Sequence, residues 1–196
     1  MYSARFTHHY RNAIREVMGE SGMQAVFNLA GYPLNTPPDT LTLEQFAALN
    51  VGFLEMFGRV GGSGLAYRVG QAAITHHIRA GEMTVDGDTI ATILPQLLEP
   101  LTAFANETVA DIRPGDGYTD VVMLTCPACY DLTEKDVPLR TGKPSDLPVC
   151  RGIEGWLSEG VRYAMGGTEY PVKEMACRVT QGAAHCIFRI TPPSPE

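Results

Sequence analysis

Residues 168–191, TEYPVKEMACRVTQGAAHCIFRIT, carry the clearest strand pattern in this chain. They contain two strand-like segments, 168–180 and 184–191, on either side of Gln181-Gly182. Two such segments joined by a short connection that contains glycine predict a β-hairpin. The expected fold therefore includes a pair of antiparallel strands in the last part of the sequence.

A helix and another hairpin are predicted immediately upstream. RGIEGWLSEGVRYAMGG (151–167) carries apolar residues at helical spacing and ends in two glycines. Before it, ETVADI (107–112) and YTDVVMLTC (118–126) flank the glycine-containing turn RPGDG (113–117). The second half of the chain is thus expected to be hairpin, loop, helix and hairpin.

The first half is expected to be helical. Apolar periodicity and capping-box spacings predict helices over 4–18, 21–31, 42–57, 65–79 and about 89–106. The glycine cluster GRVGGSG (58–64) is predicted to break the helix before it, and Pro95 and Pro100 to kink or split the last one. Helices followed by antiparallel strands indicate an α+β fold.

Composition and charge restrict the class of protein. The chain has 196 residues and a net charge of −7, which disfavours the basic footprint that nucleic-acid binding needs. No apolar segment reaches transmembrane length, and MYSARFTHHYRNAIRE lacks the apolar core of a secretory signal. We therefore expect a cytoplasmic protein with no membrane span and no nucleic-acid partner.

The cysteines point to a metal site. All five fall in the last 71 residues, and their odd number argues against complete disulfide pairing. In the cytosol such a group favours metal binding over a disulfide framework. The candidate ligands are Cys126, Cys129, Cys150, Glu174, Cys177, His185 and Cys186. Zinc is the expected ion, with an iron–sulfur cluster as the alternative.

Two spacings in this group matter. Cys126 and Cys129 form CPAC, which is a common half of a zinc site; the loop expected after it disfavours a thiol–disulfide motif. Glu174 and Cys177 are three residues apart, so a regular strand would place them on opposite faces. A bulge or bend is needed if both are to reach one ion.

The C-terminal third resembles the 4-vinyl reductase domain family. The similarity rests on Cys150-Arg-Gly, Gly160, Tyr170-Pro-Val-Lys-Glu174-Met-Ala-Cys177, Gly182 and Cys186-Ile-Phe. That family includes a bacteriochlorophyll-biosynthesis protein and the sensor domains of phenol-responsive activators. The resemblance implies a fold like that of TRAPP subunits, in which N-terminal helices pack on a four-stranded antiparallel sheet. It also implies a homodimer and a buried pocket for an apolar or aromatic small molecule.

The resemblance further implies which residues bind zinc. By motif these are Cys150, Glu174, Cys177 and Cys186, with eight residues between the last two cysteines where the family usually has seven. Cys126 and Cys129 are alternative ligands. A closed site of four protein ligands is structural rather than catalytic.

The ligand pocket is the least specific expectation. Its candidate lining residues are Trp156, Tyr67, Phe53, Phe57 and His76. No catalytic constellation and no nicotinamide or flavin fingerprint is recognisable. We therefore expect a carrier or sensor of a tetrapyrrole-like or hydrocarbon-like ligand. The alternatives are an enzyme or accessory subunit of (bacterio)chlorophyll 4-vinyl reduction, and a thiol-based redox or iron–sulfur sensor.

The expected domain organisation is simple. Residues 1–40 form a helical extension, 41–191 form the small-molecule-binding domain, and 192–196 form a disordered tail.

Overall fold

A computed structural model describes residues 1–32, 39–105, 108–133 and 149–193. Five predicted segments lie partly outside these residues: the loops at 32–40 and 131–149, the helix at about 89–106, the strand at 107–112 and the tail at 192–196.

Four α-helices and four strands form the described part of the chain. They are α1 (Ala4–Leu29), α2 (Leu43–Arg79), α3 (Ile90–Thr102), β1 (Ala110–Gly115), β2 (Tyr118–Met123), α4 (Arg151–Ala164), β3 (Val172–Ala176) and β4 (Cys186–Ile190). A single 3₁₀ turn, Pro127–Cys129, follows β2. This order confirms the predicted α+β class.

The four strands form one antiparallel sheet in the order β1-β2-β4-β3. Each predicted hairpin is present, and the two meet where Val121 of β2 pairs with Phe188 of β4. The first turn is shorter than expected, because β1 continues through Arg113-Pro114-Gly115 and only two residues connect it to β2. Val121 and Phe188 are fully buried, so this face of the sheet packs against the helices.

The helix break predicted at the glycine cluster 58–64 is present as a kink at Gly58, whose φ of 67° is not helical. Helical geometry resumes directly after Gly58, so the second arm of α2 starts earlier than the predicted residue 65. A Cβ on Gly62 would lie 2.4 Å from the carbonyl oxygen of Phe53, so the two arms of the kinked helix approach too closely for a side chain there. α1 bends in the same way at Gly19, with φ of 73°.

The two prolines do not split α3, which corrects one of the two predicted outcomes, a kink or a split. Pro95 and Pro100 both lie inside one helix that ends at Thr102 rather than near 106. Each interior proline costs about 3 kcal/mol. The helix buries five aliphatic side chains, Ile93, Leu94, Leu97, Leu98 and Leu101. Each such side chain contributes about 1.5–3 kcal/mol, so burial outweighs the lost hydrogen bonds.

α2 and α4 touch backbone to backbone. A Cβ on Gly70 would lie 2.0 Å from the carbonyl oxygen of Gly152, and one on Gly155 would lie 2.0 Å from that of Tyr67. Trp156 then enters the core, where its indole Nε1 donates to the carbonyl oxygen of Leu97 on α3 at 2.8 Å. Glycine at this crossing therefore determines where α4 lies.

α1 shares this core. Tyr2, Phe6 and Tyr10 pack their rings against Phe46 of α2 at centroid distances between 4.7 and 5.9 Å. Residues 1–32 therefore contribute apolar side chains to the main core. The domain boundary predicted at residue 40 stays a prediction. None of the described helices is long and apolar enough to cross a membrane.

The helix crossing gives a first prediction. Gly70→Ala should lower the free energy of unfolding by about 2–3 kcal/mol, because its methyl group must push α4 away from α2. The matched control is Gly64→Ala in the same helix, where no atom lies within 4 Å of the added Cβ. The control should be neutral or stabilising by up to about 1 kcal/mol through helix propensity. Urea unfolding of both variants would reject this account if they lost equal stability.

Candidate metal centre

The fold collects the five cysteines from four places in the chain. Cys126 and Cys129 bracket the 3₁₀ turn after β2, Cys150 caps the N-terminus of α4, and Cys177 and Cys186 lie at the facing ends of β3 and β4. All five are free thiols, and all are buried. The cluster therefore lies where the sheet, the 3₁₀ turn and the start of α4 meet.

The sulfur atoms have the spacing of a tetrahedral metal site. Sγ of Cys126 lies 3.4 Å from that of Cys150, which in turn lies 3.8 Å from that of Cys186. Sγ of Cys129 lies 3.6 Å from that of Cys186. A tetrahedron with zinc–sulfur bonds of about 2.3 Å has edges of about 3.8 Å. The thiols are thus already close to the arrangement that zinc requires.

A register shift in β3 brings Glu174 and Cys177 to the same side. Glu174 pairs with Phe188 and Ala176 with Ile187, which leaves Met175 between them without a partner. Met175 points outward and is 44% exposed, whereas Glu174 and Cys177 are both buried. The irregularity that the three-residue spacing required is therefore present.

One carboxylate oxygen of Glu174 accepts a hydrogen bond, and the other has no hydrogen-bond partner in the described structure. Oε2 accepts a hydrogen bond from the backbone N–H of Cys150 at 3.1 Å. Oε1 is buried without a hydrogen-bond partner in the described structure. Burial and the neighbouring cysteines raise the pKa of Glu174 well above its usual value. An unpaired buried oxygen is costly, and coordination to a cation would remove that cost.

Two overlapping ligand sets result. The first is Cys126, Cys129, Cys150 and Cys186; the second is Cys150, Glu174, Cys177 and Cys186. Within each set, one ligand atom per residue lies within 4.8 Å of all the others. His185 belongs to neither set. The structure thus brings together every thiol and the carboxylate that the sequence singled out.

Hydrogen bonds among the thiols shift their pKa values in opposite directions. The contact with Cys126 lowers the pKa of Cys186 to about 5, and it also lowers that of Cys129. The same neighbour raises the pKa of Cys150. The cluster thus favours some thiolates near neutral pH, and thiolate is the form that binds metals.

Two residues that sequence analysis missed hold the thiol-bearing loops. Asn50, buried on α2, donates from Nδ2 to the carbonyl oxygens of Ala128 at 3.0 Å and Val149 at 2.8 Å. Arg178 donates to the carbonyl oxygen of Cys129 at 2.7 Å. In the sequence, Asn50 stands out only as an amide on an otherwise apolar helix face. A buried amide lowers stability unless it forms hydrogen bonds, so its position indicates a hydrogen-bonding role.

Glu154 is a third missed residue. It lies one turn after Cys150 on α4 and is 3% exposed. Oε2 accepts a hydrogen bond from the backbone N–H of Glu174 at 3.0 Å, and Oε1 pairs with Arg151. Burial raises the pKa of Glu154. This carboxylate ties the first turn of α4 to β3 beside the cluster.

The predicted pocket residues do not converge on one cavity. Trp156 and Phe53 are buried in the core, and Phe57 is 43% exposed on α2. His76 is partly exposed, with Nε2 2.9 Å from Oε2 of Glu16. Tyr67 alone lines a substantial groove.

That groove lies between α2, α4 and the start of β3. It has a volume of about 600 Å³ and opens to solvent. Tyr67 donates to Oγ of Ser158 at 3.0 Å on one wall. Tyr170 and Pro171 supply apolar surface on the other. Arg162 also lines the groove, where it pairs with Glu159, and Glu169 adds a second carboxylate. The groove thus combines aromatic faces with several polar and charged groups.

A buried histidine pair lies on the opposite side of α2. Nε2 of His9 is 2.8 Å from Oε2 of Glu82, and Nδ1 of His77 is 4.0 Å from the same oxygen. The ring of His77 also meets the edge of Trp156 at 5.4 Å between centroids. Nothing in the sequence links positions 9, 77 and 82, so this cluster was not predicted.

The histidine pair predicts a pH dependence. Burial lowers the pKa of His77 to about 4, below its unfolded value of 6.5. As the pH falls from 6.5 to 4, the unfolded chain therefore takes up a proton that the folded chain excludes. The folded state should lose up to about 3 kcal/mol over this range.

The contribution of His77 is isolated by a variant. His77→Gln should flatten this part of the stability–pH curve, whereas His8→Gln, at an exposed position on α1, should leave it unchanged. Urea unfolding at several pH values would measure both. Parallel curves for the wild type and His77→Gln would contradict the assignment.

Comparisons with known proteins identify the fold but no family. No family model and no curated protein matches this chain. A variant of an H-NOX protein designated Tt superposes with a TM-score of 0.58 at 13% identity, covering 98% of this chain and 96% of that one. An H-NOX protein from S. oneidensis, solved in the Fe(II)NO ligation state, gives 0.58 at 11% identity, covering 96% and 97%.

A third neighbour is the phenol-responsive sensory domain of the transcription activator PoxR, solved with phenol. Its TM-score is 0.51 at 18% identity, and the match covers 86% of this chain and 88% of that one. At these identities the likeness establishes a shared fold. The chain is therefore an α+β protein with the fold seen in H-NOX proteins and in the PoxR sensory domain.

Proposed function

We propose that this chain is a small-molecule-binding sensor or carrier domain with a structural zinc site. The observation that carries the proposal is the buried cluster of five thiols and Glu174, with the unpaired Oε1 of that carboxylate inside it. Structural neighbours support the ligand-binding part, since one is a phenol-responsive sensory domain.

The zinc ligands we propose are Cys150, Glu174, Cys177 and Cys186. The unpaired oxygen of Glu174 and the register shift beside it both favour this set over one made of thiols alone. Cys126 and Cys129 are the alternative ligands to Glu174 and Cys177. Either set consists of buried protein ligands and leaves no position for a substrate, so the ion holds the fold together.

The open groove is the ligand site we propose. An aromatic or apolar molecule with one polar group would place its ring between Tyr67 and Tyr170, and its polar group near Ser158 or Arg162. The buried pocket that the resemblance implies stays a prediction, and rings pack closely around Trp156. Phe6 lies 5.9 Å from Trp156 and 4.3 Å from Tyr2 between ring centroids.

The groove and the metal cluster share two elements. α4 begins at Cys150 in the cluster, and its later turns carry Ser158 and Arg162 into the groove. β3 carries Val172 in the groove and Glu174 in the cluster. A bound zinc ion would thus hold α4 and β3 in place at one end. Because both elements form walls of the groove, zinc binding would stabilise the groove in the shape that binds the ligand.

The H-NOX neighbours suggest haem as a candidate ligand of this chain. A buried porphyrin requires an enclosed space and an axial ligand such as histidine. Four cavities along the described ranges measure between about 260 and 600 Å³, and all four open to solvent. Around Trp156 the interior is occupied by the rings of Phe6 and His77, whose centroids lie 5.9 and 5.4 Å from that of the indole. These cavities therefore do not fit a buried haem.

Three further expectations stay predictions. They are membership of the 4-vinyl reductase domain family with a role in tetrapyrrole reduction, a homodimer, and cytoplasmic localisation. The iron–sulfur alternative has one specific observation in its favour, because Cys126, Cys129, Cys150 and Cys186 form a four-thiol group. Metal analysis separates it from zinc.

The metal proposal predicts that protein purified without chelator contains zinc. Cys186→Ser, which removes a ligand common to both sets, should abolish zinc binding and lower the free energy of unfolding by several kcal/mol. Met175→Ser is the matched control, because its side chain lies between ligands but points to solvent. Elemental analysis and thermal unfolding would measure both effects. If the wild type contained iron and acid-labile sulfide, the zinc proposal would be wrong and the cysteines would hold an iron–sulfur cluster.

The ligand proposal predicts that phenol binds in the groove. Ser158→Ala removes the hydroxyl beside which the ligand's polar group is proposed to lie, and the loss of one hydrogen bond worth about 0.5–1.5 kcal/mol should weaken phenol binding roughly 2- to 10-fold. Tyr163→Phe, an exposed position on α4, should bind phenol as the wild type does. Isothermal titration calorimetry would measure the three affinities. Equal affinities in all three proteins would place the ligand elsewhere.

A further inference from the structure

The two candidate ligand sets share two thiols. Cys150 and Cys186 belong to both sets, and their Sγ atoms lie 3.8 Å apart. This matches the edge of about 3.8 Å expected for tetrahedral zinc with bonds of about 2.3 Å. The same pair of sulfur atoms can therefore serve as an edge of two tetrahedra.

The remaining ligands fall into two pairs. Cys126 and Cys129 complete one set, with Sγ atoms 3.4 Å from Cys150 and 3.6 Å from Cys186, respectively. Glu174 and Cys177 complete the other. The six ligand atoms do not form one group within 4.8 Å, although each set of four does. This is the pattern of two sites side by side rather than one crowded site.

We propose that the cluster binds two zinc ions bridged by the thiolates of Cys150 and Cys186. This rests on the zinc site proposed above and adds a second ion to it. Two four-coordinate ions need eight positions, and six ligands supply them when two ligands bridge. Both shared ligands are cysteines, whose thiolate sulfur has several lone pairs and can bind two metal ions.

Charge balance is compatible with the second ion. A single zinc with four anionic ligands leaves a buried net charge of −2. Two zinc ions with five thiolates and one carboxylate also leave −2, because two further thiols lose protons as the second ion binds. The second zinc therefore adds no net buried charge. The backbone N–H of Arg178, 3.5 Å from Sγ of Cys186, also points at a bridging sulfur.

A single ion leaves part of the cluster unexplained. If zinc occupied only the four-thiol set, Oε1 of Glu174 would stay buried without a partner. If it occupied only the set with Glu174, Cys126 would be an uncoordinated thiol with its sulfur 3.4 Å from a ligand sulfur. Two ions give each of these six side chains a metal bond.

The number of zinc ions per chain tests this inference. The wild type should hold two zinc ions by elemental analysis against amino-acid analysis. The double variants Cys126→Ser/Cys129→Ser and Glu174→Gln/Cys177→Ser should each hold one. One zinc ion in the wild type would overturn the bridged pair and leave the proposed structural site intact. A wild type without zinc would overturn both.

A second zinc ion could also bind outside the cysteine cluster, at the histidine pair, and a variant of His9 tests this. His9, His77 and Glu82 also place three ligand atoms within 4.8 Å of one another. His9→Ala should retain two zinc ions per chain if both lie among the cysteines. A fall to one in this variant would overturn the inference.

A measurement on the wild type avoids dependence on variants that fail to fold. Replacement of zinc by isotopically enriched cadmium should give two cadmium NMR resonances that are coupled to each other through the bridging sulfurs. The resonance of the four-thiol site should differ from that of the site containing Glu174. One resonance, or two without mutual coupling, would overturn the bridge.

Discussion

The buried carboxylate of Glu174 sets the positions of α4 and β3 around the thiol cluster. A carboxylate that is 3% exposed must have its oxygens satisfied or remain protonated. One oxygen is met by the N–H of Cys150, which requires α4 to begin directly opposite β3. Glu154, one turn later, binds the N–H of Glu174 in return. The other oxygen, Oε1, is buried beside the thiol cluster without a hydrogen-bond partner in the described structure. The contact that aligns α4 with β3 therefore also leaves a carboxylate oxygen that a bound cation would satisfy.

The helix crossing determines whether α4 can meet that constraint. Gly70 of α2 and Gly155 of α4 let the two backbones touch, so α4 lies deeper than any pair of side-chain-bearing positions would allow. At that depth Asn50 of α2 reaches the carbonyl oxygens on both sides of the cysteine loops. The outer surface of the same crossing forms the groove, where Tyr67 meets Ser158. The metal cluster and the groove are therefore two consequences of one close helix–helix contact.

Local patterns in the sequence were enough to predict the elements and the ligand types, but not their neighbours. Both hairpins, the Thr42–Gln45 capping box and the irregularity between Glu174 and Cys177 follow from spacing within a few residues. The break at the glycine cluster in α2 was predicted, but its extent was not, because only packing distinguishes a glycine needed for close approach, such as Gly62, from one that interrupts a helix, such as Gly58. The convergence of His9 with His77 and Glu82 depends on how α1 packs on α2, which no local pattern records.

The shared fold does not assign a ligand, and the physical reason is visible in this chain. The H-NOX and PoxR neighbours superpose over most of the chain at 11–18% identity, so the backbone frame is common while few side chains are. A frame of this kind can present different side chains to its interior and its grooves, and function resides in those side chains. Here the interior around Trp156 is filled by aromatic rings, whereas polar and ionisable groups collect in the groove and the thiol cluster. Because buried ionisable groups are costly unless they are paired or bind a cation, the cluster is the part of this chain that packing alone does not explain.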